Sequence, residues 1–265
     1  MNPKKKFGQN FISDYNLIQK IINGAKIDGK NVLEVGPGRG ALTSVIASRA
    51  SEVIAYEIDQ DLKIYLDVLT KEHNNLKVIY EDFLSTDFAS DKKWELIGNL
   101  PYYITTPIIF KFIENDTYNS ATIMVQKEVG ERIISPPNSK KYNALSVIIQ
   151  YLTNVEKVVN VSRKMFYPVP NVDSVVIRLE KKENRQIKKE LEPAFFEFVK
   201  ASFEQKRKTL VNNLSEYSDL SKQEIIALLK DNSFSETIRA EQITLDDFIK
   251  LFEVFNEQNL WESFC

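Results

Sequence analysis

Between Asn31 and Ile134 the chain alternates short apolar runs with helical stretches, and this alternation limits the possible fold more than any single motif. Residues 31–35, 53–56, 76–80, 94–97 and 121–125 read as buried strands. Helices are expected over 41–50, 61–71 and 127–134, with another capped by Thr106 and carrying Pro107 in its first turn. Strands separated by helices at this spacing predict a mainly parallel sheet covered on both faces. Two further β-branched runs, 155–161 and 174–179, bracket a loop at 162–173, and 144–152 is predicted to be helical. Upstream, Ser13 or Asp14 is placed to cap a helix bearing Leu17, Ile18, Ile21 and Ile22, with Gly24 as its stop.

After Glu180 the apolar period becomes helical. Residues 181–189 form a charged linker, and Phe195, Phe198, Val199, Leu210, Leu214, Ile225, Leu229, Phe248, Leu251, Phe252 and Phe255 follow at helical spacing. Two domains are therefore expected, a cofactor-binding catalytic domain over 1–182 and a small all-helical domain over 190–265. A length of 265 residues suits such a pair.

The only cysteine is Cys265 and the only histidine His73, so no internal disulfide and no metal site are expected. His73 sits in a polar run and is expected in a surface loop. No stretch approaches a membrane span, and the basic start Lys4-Lys5-Lys6 lacks a following apolar region, which makes the cytoplasm the expected location. The net charge of −2 hides a polarity along the chain. Residues 181–208 hold nine Lys/Arg against five Asp/Glu, and residues 209–265 hold four against eleven. A phosphate-binding surface is compatible with that pattern, because the local field matters more than the total.

Val35-Gly36-Pro37-Gly38-Arg39-Gly40 follows a strand and opens a helix, the context of a nucleotide-cofactor loop. Glu57 lies 21 residues after Gly36, at the next strand end, where a carboxylate suits two ribose hydroxyls. Asp82 closes the third strand and suits an adenine amino group, with Phe83 available to lie against the ring. Gly36-x-Gly38-x-x-Ala41 also fits a dinucleotide loop. An acid and an aromatic after the third strand favour S-adenosylmethionine instead, as does the lack of a hydride-transfer site after Asn99.

The fourth strand runs into Ile97-Gly98-Asn99-Leu100-Pro101-Tyr102-Tyr103. An amide, constrained carbonyls and a phenol at one strand end suit a planar ring with an exocyclic NH2 group. A simple turn, with Asn and Pro as turn formers, is the alternative.

The segments Val32-Leu33-Glu34-Val35-Gly36-Pro37-Gly38, Glu57, Asp82 and Asn99-Leu100-Pro101-Tyr102 resemble the S-adenosylmethionine-dependent ribosomal RNA adenine dimethyltransferases. Phe7-Gly8-Gln9-Asn10-Phe11, Gln126-Lys127-Glu128-Val129, Phe166-x-Pro168-x-Pro170-x-Val172-Asp173-Ser174 and Lys206-Arg207-Lys208-Thr209-Leu210 extend the resemblance over nearly the whole chain. It implies a Rossmann-like α/β methyltransferase of class I, with seven mostly parallel strands and a C-terminal helical domain for RNA recognition.

The cofactor contacts it implies are Asn10, the backbone at Ile12, Gly36, Gly38, Glu57, Asp82 and Asn99. It also implies that Asn99, Leu100, Pro101 and Tyr102 hold the base and that Phe166 closes its other face. The last motif points to the small-subunit branch, acting on small-subunit ribosomal RNA or an immature small subunit. The chain is expected to work as a monomer. A large-subunit adenine methylase and a non-catalytic RNA-binding factor on the same fold are the alternatives. Departures from the family pattern are Ile12 for leucine, Gly130 for alanine, and lysines replacing arginines around Arg207, which weakens bidentate phosphate contact.

Overall fold

The structure is a computed structural model that describes residues 9–257. Nine strands and ten α-helices are described: β1 (Phe11–Ile12), α1 (Tyr15–Ala25), β2 (Asn31–Val35), α2 (Ala41–Arg49), β3 (Glu52–Tyr56), α3 (Lys63–Glu72), β4 (Leu76–Ile79), β5 (Trp94–Asn99), α4 (Thr105–Glu114), β6 (Tyr118–Gln126), α5 (Lys127–Ile133), α6 (Ala144–Leu152), β7 (Thr153–Val161), β8 (Phe166–Tyr167), β9 (Ser174–Lys181), α7 (Glu192–Ser202), α8 (Leu210–Leu214), α9 (Lys222–Asp231) and α10 (Leu245–Glu257).

Seven strands form one sheet in the order β4-β3-β2-β5-β6-β9-β7. The pairs from β4 to β6 are parallel, and β9 runs antiparallel to β6. The expected mostly parallel, Rossmann-like sheet is thus present. Its central strands are buried on both faces, as the continuous apolar runs Val32-Leu33 and Leu96-Ile97 require.

Local chemistry sets the boundaries. Asp14 caps α1, its carboxylate accepting from Leu17 N at 2.7 Å. The helix passes the expected stop at Gly24 by one residue and ends with Lys26 in the left-handed region, φ 56°. Thr106 does not cap α4. Asn99 to Tyr102 leads into a single 3-10 turn, Tyr102–Ile104, so the helix begins at Thr105 with Ile104 as its cap. Strand β5 continues two residues beyond Ile97, because Gly98 and Asn99 pair with Ile123 and Met124. At Gly130 a Cβ would run into the Val175 side chain, which accounts for glycine where the family pattern has alanine.

Two compact units are present. The first holds residues up to 130 and 155–181, with the sheet. The second holds 131–154 and 182 onward. It therefore takes in α6, which sequence pattern places in the cofactor domain. The reason is aromatic packing: Tyr151 of α6 lies 5.0 Å from the Phe195 ring, and its hydroxyl donates to Glu192. Phe195 and Phe252 (5.4 Å) and Phe198 and Phe255 (5.4 Å) complete that core. No helix among the described residues is long and apolar enough to cross a membrane.

Candidate functional site

The carboxyl ends of β2, β3, β4 and β5 open into one cavity of about 350 Å³ in the first unit. Such a position at the strand ends is where open α/β sheets bind ligands. The structure brings together there all the residues picked out by sequence: Asn10, Ile12, Gly36, Gly38, Glu57, Asp82, Asn99, Leu100, Pro101, Tyr102 and Phe166.

The floor is the glycine loop after β2. Gly36 and Gly38 have φ of 73° and 61°, conformations that side chains resist. Gly38 N donates to Glu57 Oε2 at 3.0 Å, and Asp59 N donates to Oε1 at 2.8 Å. These bonds hold the carboxylate at the end of β3. Burial nevertheless raises the Glu57 pKa above the ordinary value, with the backbone bonds to Asp59 and Gly38 acting against it.

Residues 9–12 also line the cavity. Gln9 Nε2 donates to Asp59 at 2.7 Å, and the Arg39 guanidinium lies 4.6 Å over the Phe11 ring. Asn99 Nδ2 donates to the Asn10 carbonyl at 2.9 Å. That bond fixes which end of the Asn99 amide is the acceptor and leaves Oδ1 for an incoming donor. Phe11 and Ile12 pair with Tyr167 and Phe166 in a two-stranded antiparallel ribbon. The motif residues Phe7 and Gly8, and the basic Lys4 to Lys6, lie outside the described residues.

Beyond Asn99, Leu100 is buried, and the Pro101 carbonyl accepts from Ile104 N at 3.1 Å. Tyr102 is half-buried, and its hydroxyl shares a 2.9 Å hydrogen bond with Ser174 Oγ. Phe166 lines the cavity but is only 4% exposed, packed into the core cluster with Ile12, whereas Tyr103 and Tyr167 on the same lining are exposed. Asp82 is exposed, and its Oδ1 accepts from Leu84 N at 3.0 Å.

Three participants are not assigned a role by sequence pattern. Glu34 enters there only as part of a motif. It is buried against the cavity, and burial pushes its pKa up to about 8, with the Glu57 charge adding to the effect. Its Oε2 has no hydrogen-bond partner among the described residues. Ser174 and Tyr103 are the other two. A signal for Glu34 is present in the sequence, since an acid inside an apolar strand is costly unless it meets a ligand. Nothing in the sequence points to Ser174 as the partner of Tyr102.

The cavity fits an adenosyl cofactor. Bare glycine backbone, carboxylates at two successive strand ends and an unpartnered buried carboxyl oxygen are a donor and acceptor set for a nucleoside joined to an amino acid. The volume falls in the range of about 300–1,000 Å³ usual for small-molecule sites.

In the second unit Lys206 Nζ donates to the Lys140 carbonyl, bringing two basic runs together. Lys208 pairs with Glu216 at 2.8 Å and Lys141 pairs with Glu131. Arg207 is exposed. His73 caps the end of α3 and is half-buried rather than fully exposed.

The family described as Ribosomal RNA adenine dimethylase matches residues 1–257. A protein named Ribosomal RNA small subunit methyltransferase A from Onion yellows phytoplasma is 53% identical over 256 residues, covering 94% of each chain. Its namesake from Mycoplasmopsis pulmonis is 40% identical over 95% of this chain and 98% of its own. Among solved structures, a dimethyladenosine transferase from Plasmodium falciparum superposes with a TM-score of 0.81 at 28% identity, covering 94% and 98% of the two chains. The 23S rRNA methyltransferase ErmE gives 0.78 at 27% identity, over 93% and 100%.

Proposed function

The chain belongs to the ribosomal RNA adenine dimethylase family, and we propose that it dimethylates the N6 amines of two adjacent adenines in the 3′-terminal hairpin loop of small-subunit ribosomal RNA. The small-subunit assignment is supported by relatives of that name at 40% to 53% identity. The fold alone is neutral, since a large-subunit enzyme superposes nearly as well.

The bound S-adenosylmethionine supplies an electrophilic methyl group on a sulfonium. Glu57 would hold the ribose hydroxyls, Asp82 the adenine amino group, and the Gly36–Gly38 backbone would take the nucleoside. Asn10, the Ile12 backbone and Asn99 would add further contacts to the cofactor, with Asn99 serving the target base as well.

Adenine N6 is a poor nucleophile because its lone pair is spread into the ring. Asn99 Oδ1 and the carbonyl at Leu100-Pro101 accept hydrogen bonds from its two N–H groups and favour a pyramidal nitrogen with a localised pair. So held, the nitrogen would face the methyl group that the bound cofactor would supply, and would release a proton to water once methylated. Positioning and electrostatics supply the catalysis, with no general base required. Tyr102 stacks on the base, and Phe166 backs the opposite wall. A base within folded RNA has to swing out to reach this depth. The exposed rim gives the first methyl room to turn aside before the second transfer.

The observation that carries this proposal is the 2.9 Å bond from Asn99 Nδ2 to Asn10 O, which presets the amide as an acceptor. The helical unit, with Lys140, Lys141, Lys206, Arg207 and Lys208, provides the phosphate-facing surface. The test is to incubate immature small subunits, naked small-subunit RNA and large-subunit RNA with labelled S-adenosylmethionine. Label in small-subunit adenines, lost in Asn99→Ala, is expected. Label confined to large-subunit RNA identifies the rival enzyme, and no label at all favours a binding factor.

A further inference from the structure

Lys111 lies on α4, the helix that leaves the Asn99–Tyr102 motif, yet its ammonium group serves another wall of the cavity. Nζ donates to the Leu84 carbonyl at 3.2 Å and to the Thr86 carbonyl. It also sits 5.4 Å from the centroid of the Phe83 ring, a cation–π distance. One turn further on, Asn115 Nδ2 donates to the Phe88 carbonyl at 2.6 Å.

The segment these groups hold begins at Asp82 and has little structure of its own. It makes one 3-10 turn, Phe83–Ser85, closed by Asp82 Oδ1 with Leu84 N and by Thr86 Oγ1 with Phe83 O. Among the described residues it belongs to no strand. A single ammonium carries three protons, enough to satisfy two carbonyls and still direct charge at a ring face. Phe83 is thereby gripped from the helix side, while Tyr56 meets its ring at 5.5 Å.

We propose that Lys111 is a positioning residue for the adenine of the cofactor. It fixes the 83–86 turn so that Asp82 and Phe83 present a carboxylate and a ring edge at the right separation for that base. The proposal rests on the assignment of Asp82 and Phe83 to the adenine pocket. It adds a residue that touches neither ligand and ties the cofactor pocket to the helix that starts at the target-base motif.

The test is calorimetric titration of the full chain, without RNA, with S-adenosylhomocysteine and with S-inosylhomocysteine, in which a carbonyl replaces the adenine amino group. Wild type is expected to prefer the adenosyl ligand, and Asp82→Asn to lose that preference. Removing a charged donor from two carbonyls, as in Lys111→Met, should weaken adenosyl binding about tenfold. The inosyl ligand should suffer less. Lys111→Arg, which keeps a cationic donor, should restore both affinity and preference. In turnover, Lys111→Met raises KM for S-adenosylmethionine and leaves kcat near wild type. If Lys111→Met fails to fold, Lys111→Gln carries the same comparison.

Wild-type affinity and preference in the Lys111 variant, with preference lost in Asp82→Asn, overturn the positioning role alone. An equal loss for both ligands, accompanied by a lowered unfolding midpoint, means a merely structural lysine and also overturns it. Preference retained in Asp82→Asn removes the adenine-pocket assignment and the proposal with it.

Discussion

The hydroxyls of Tyr102 and Ser174 lie 2.9 Å apart, joining the end of the base-binding motif to the first residue of the antiparallel strand β9. Ser174 is fully buried while Tyr102 is half-buried, so the bond ties the tyrosine ring, at its hydroxyl tip, to the packed interior. Tyr102→Phe keeps the stacking face and loses only this anchor. A net hydrogen bond of about 1 kcal/mol predicts a several-fold fall in kcat/KM for RNA. Ser174→Ala should match it, and the double variant should be no worse than either single one, because both remove the same bond. Fully additive losses would count against the anchor. Tyr102→Ala should cost a further ~1–3 kcal/mol, the usual worth of a base stacked on an aromatic ring.

At Asn99 the amide donates to Asn10 and leaves an acceptor for substrate. Asn99→Asp keeps the acceptor but loses the bond to Asn10, while Asn99→Ala loses both. Loss of one preorganised polar interaction typically lowers kcat by about 10²–10³. Single-turnover methylation should therefore show Asn99→Ala at the bottom of the series and Asn99→Asp between it and wild type.

Phe166 has two jobs that separate experimentally. At 4% exposure it belongs to the core beside Ile12, so Phe166→Ala should destabilise the protein by about 3–5 kcal/mol in denaturant titration. Phe166→Leu fills most of the volume and should stay folded. If the ring face backs the base, the leucine variant still loses RNA turnover.

Glu34 sets a pH dependence. Its folded pKa of about 8 stands above the ordinary carboxyl value of 4.5, so the folded state holds a proton that the unfolded state has released. Its stabilising contribution is then complete below pH 4.5 and declines as pH rises towards about 8, at no more than about 1.4 kcal/mol per unit. Thermal unfolding of the ligand-free chain should flatten between about pH 5 and 8 in Glu34→Gln, the window bounded by those two values. A pH profile unchanged by that substitution would mean that the carboxyl is ionised throughout.

Charge reversal at Lys206, Arg207 and Lys208 should weaken RNA binding across sequences and lower the salt slope by about one for each phosphate no longer neutralised. Lys208 already pairs with Glu216, so its share should be the smallest. Affinity unmoved across a salt titration in the triple variant would relieve this cluster of any part in RNA binding.

The sheet and the strand-end residues are legible in the sequence because both depend on short-range pattern. Residues 31–35 and 144–152 have the expected bounds, and Gly36, Glu57, Asp82 and Asn99 fall on one cavity because a parallel sheet places every strand end on the same edge. Relations between distant segments are not legible. The β1–β8 ribbon is two residues long and pairs Phe11 with Tyr167 and Ile12 with Phe166, too short and too distant in sequence for any propensity to register. The place of α6 in the helical unit likewise depends on Tyr151 meeting Phe195, an encounter without a periodic signature. Lys111 reads as an ordinary helix-surface lysine, since only the fold supplies its carbonyl partners.

Residues 9–12 reach four separate places: Gln9 to Asp59, Asn10 to Asn99, Phe11 to Arg39 and Ile12 to Phe166. Substitutions at those distant positions share a common neighbour, so their free energies will not sum. A change tolerated alone at Asp59 and another tolerated alone at Arg39 both loosen the same short stretch, and together they cost less or more than arithmetic predicts. Sequence change in this site is therefore constrained in groups, with four strand and loop ends answerable to one tetrapeptide.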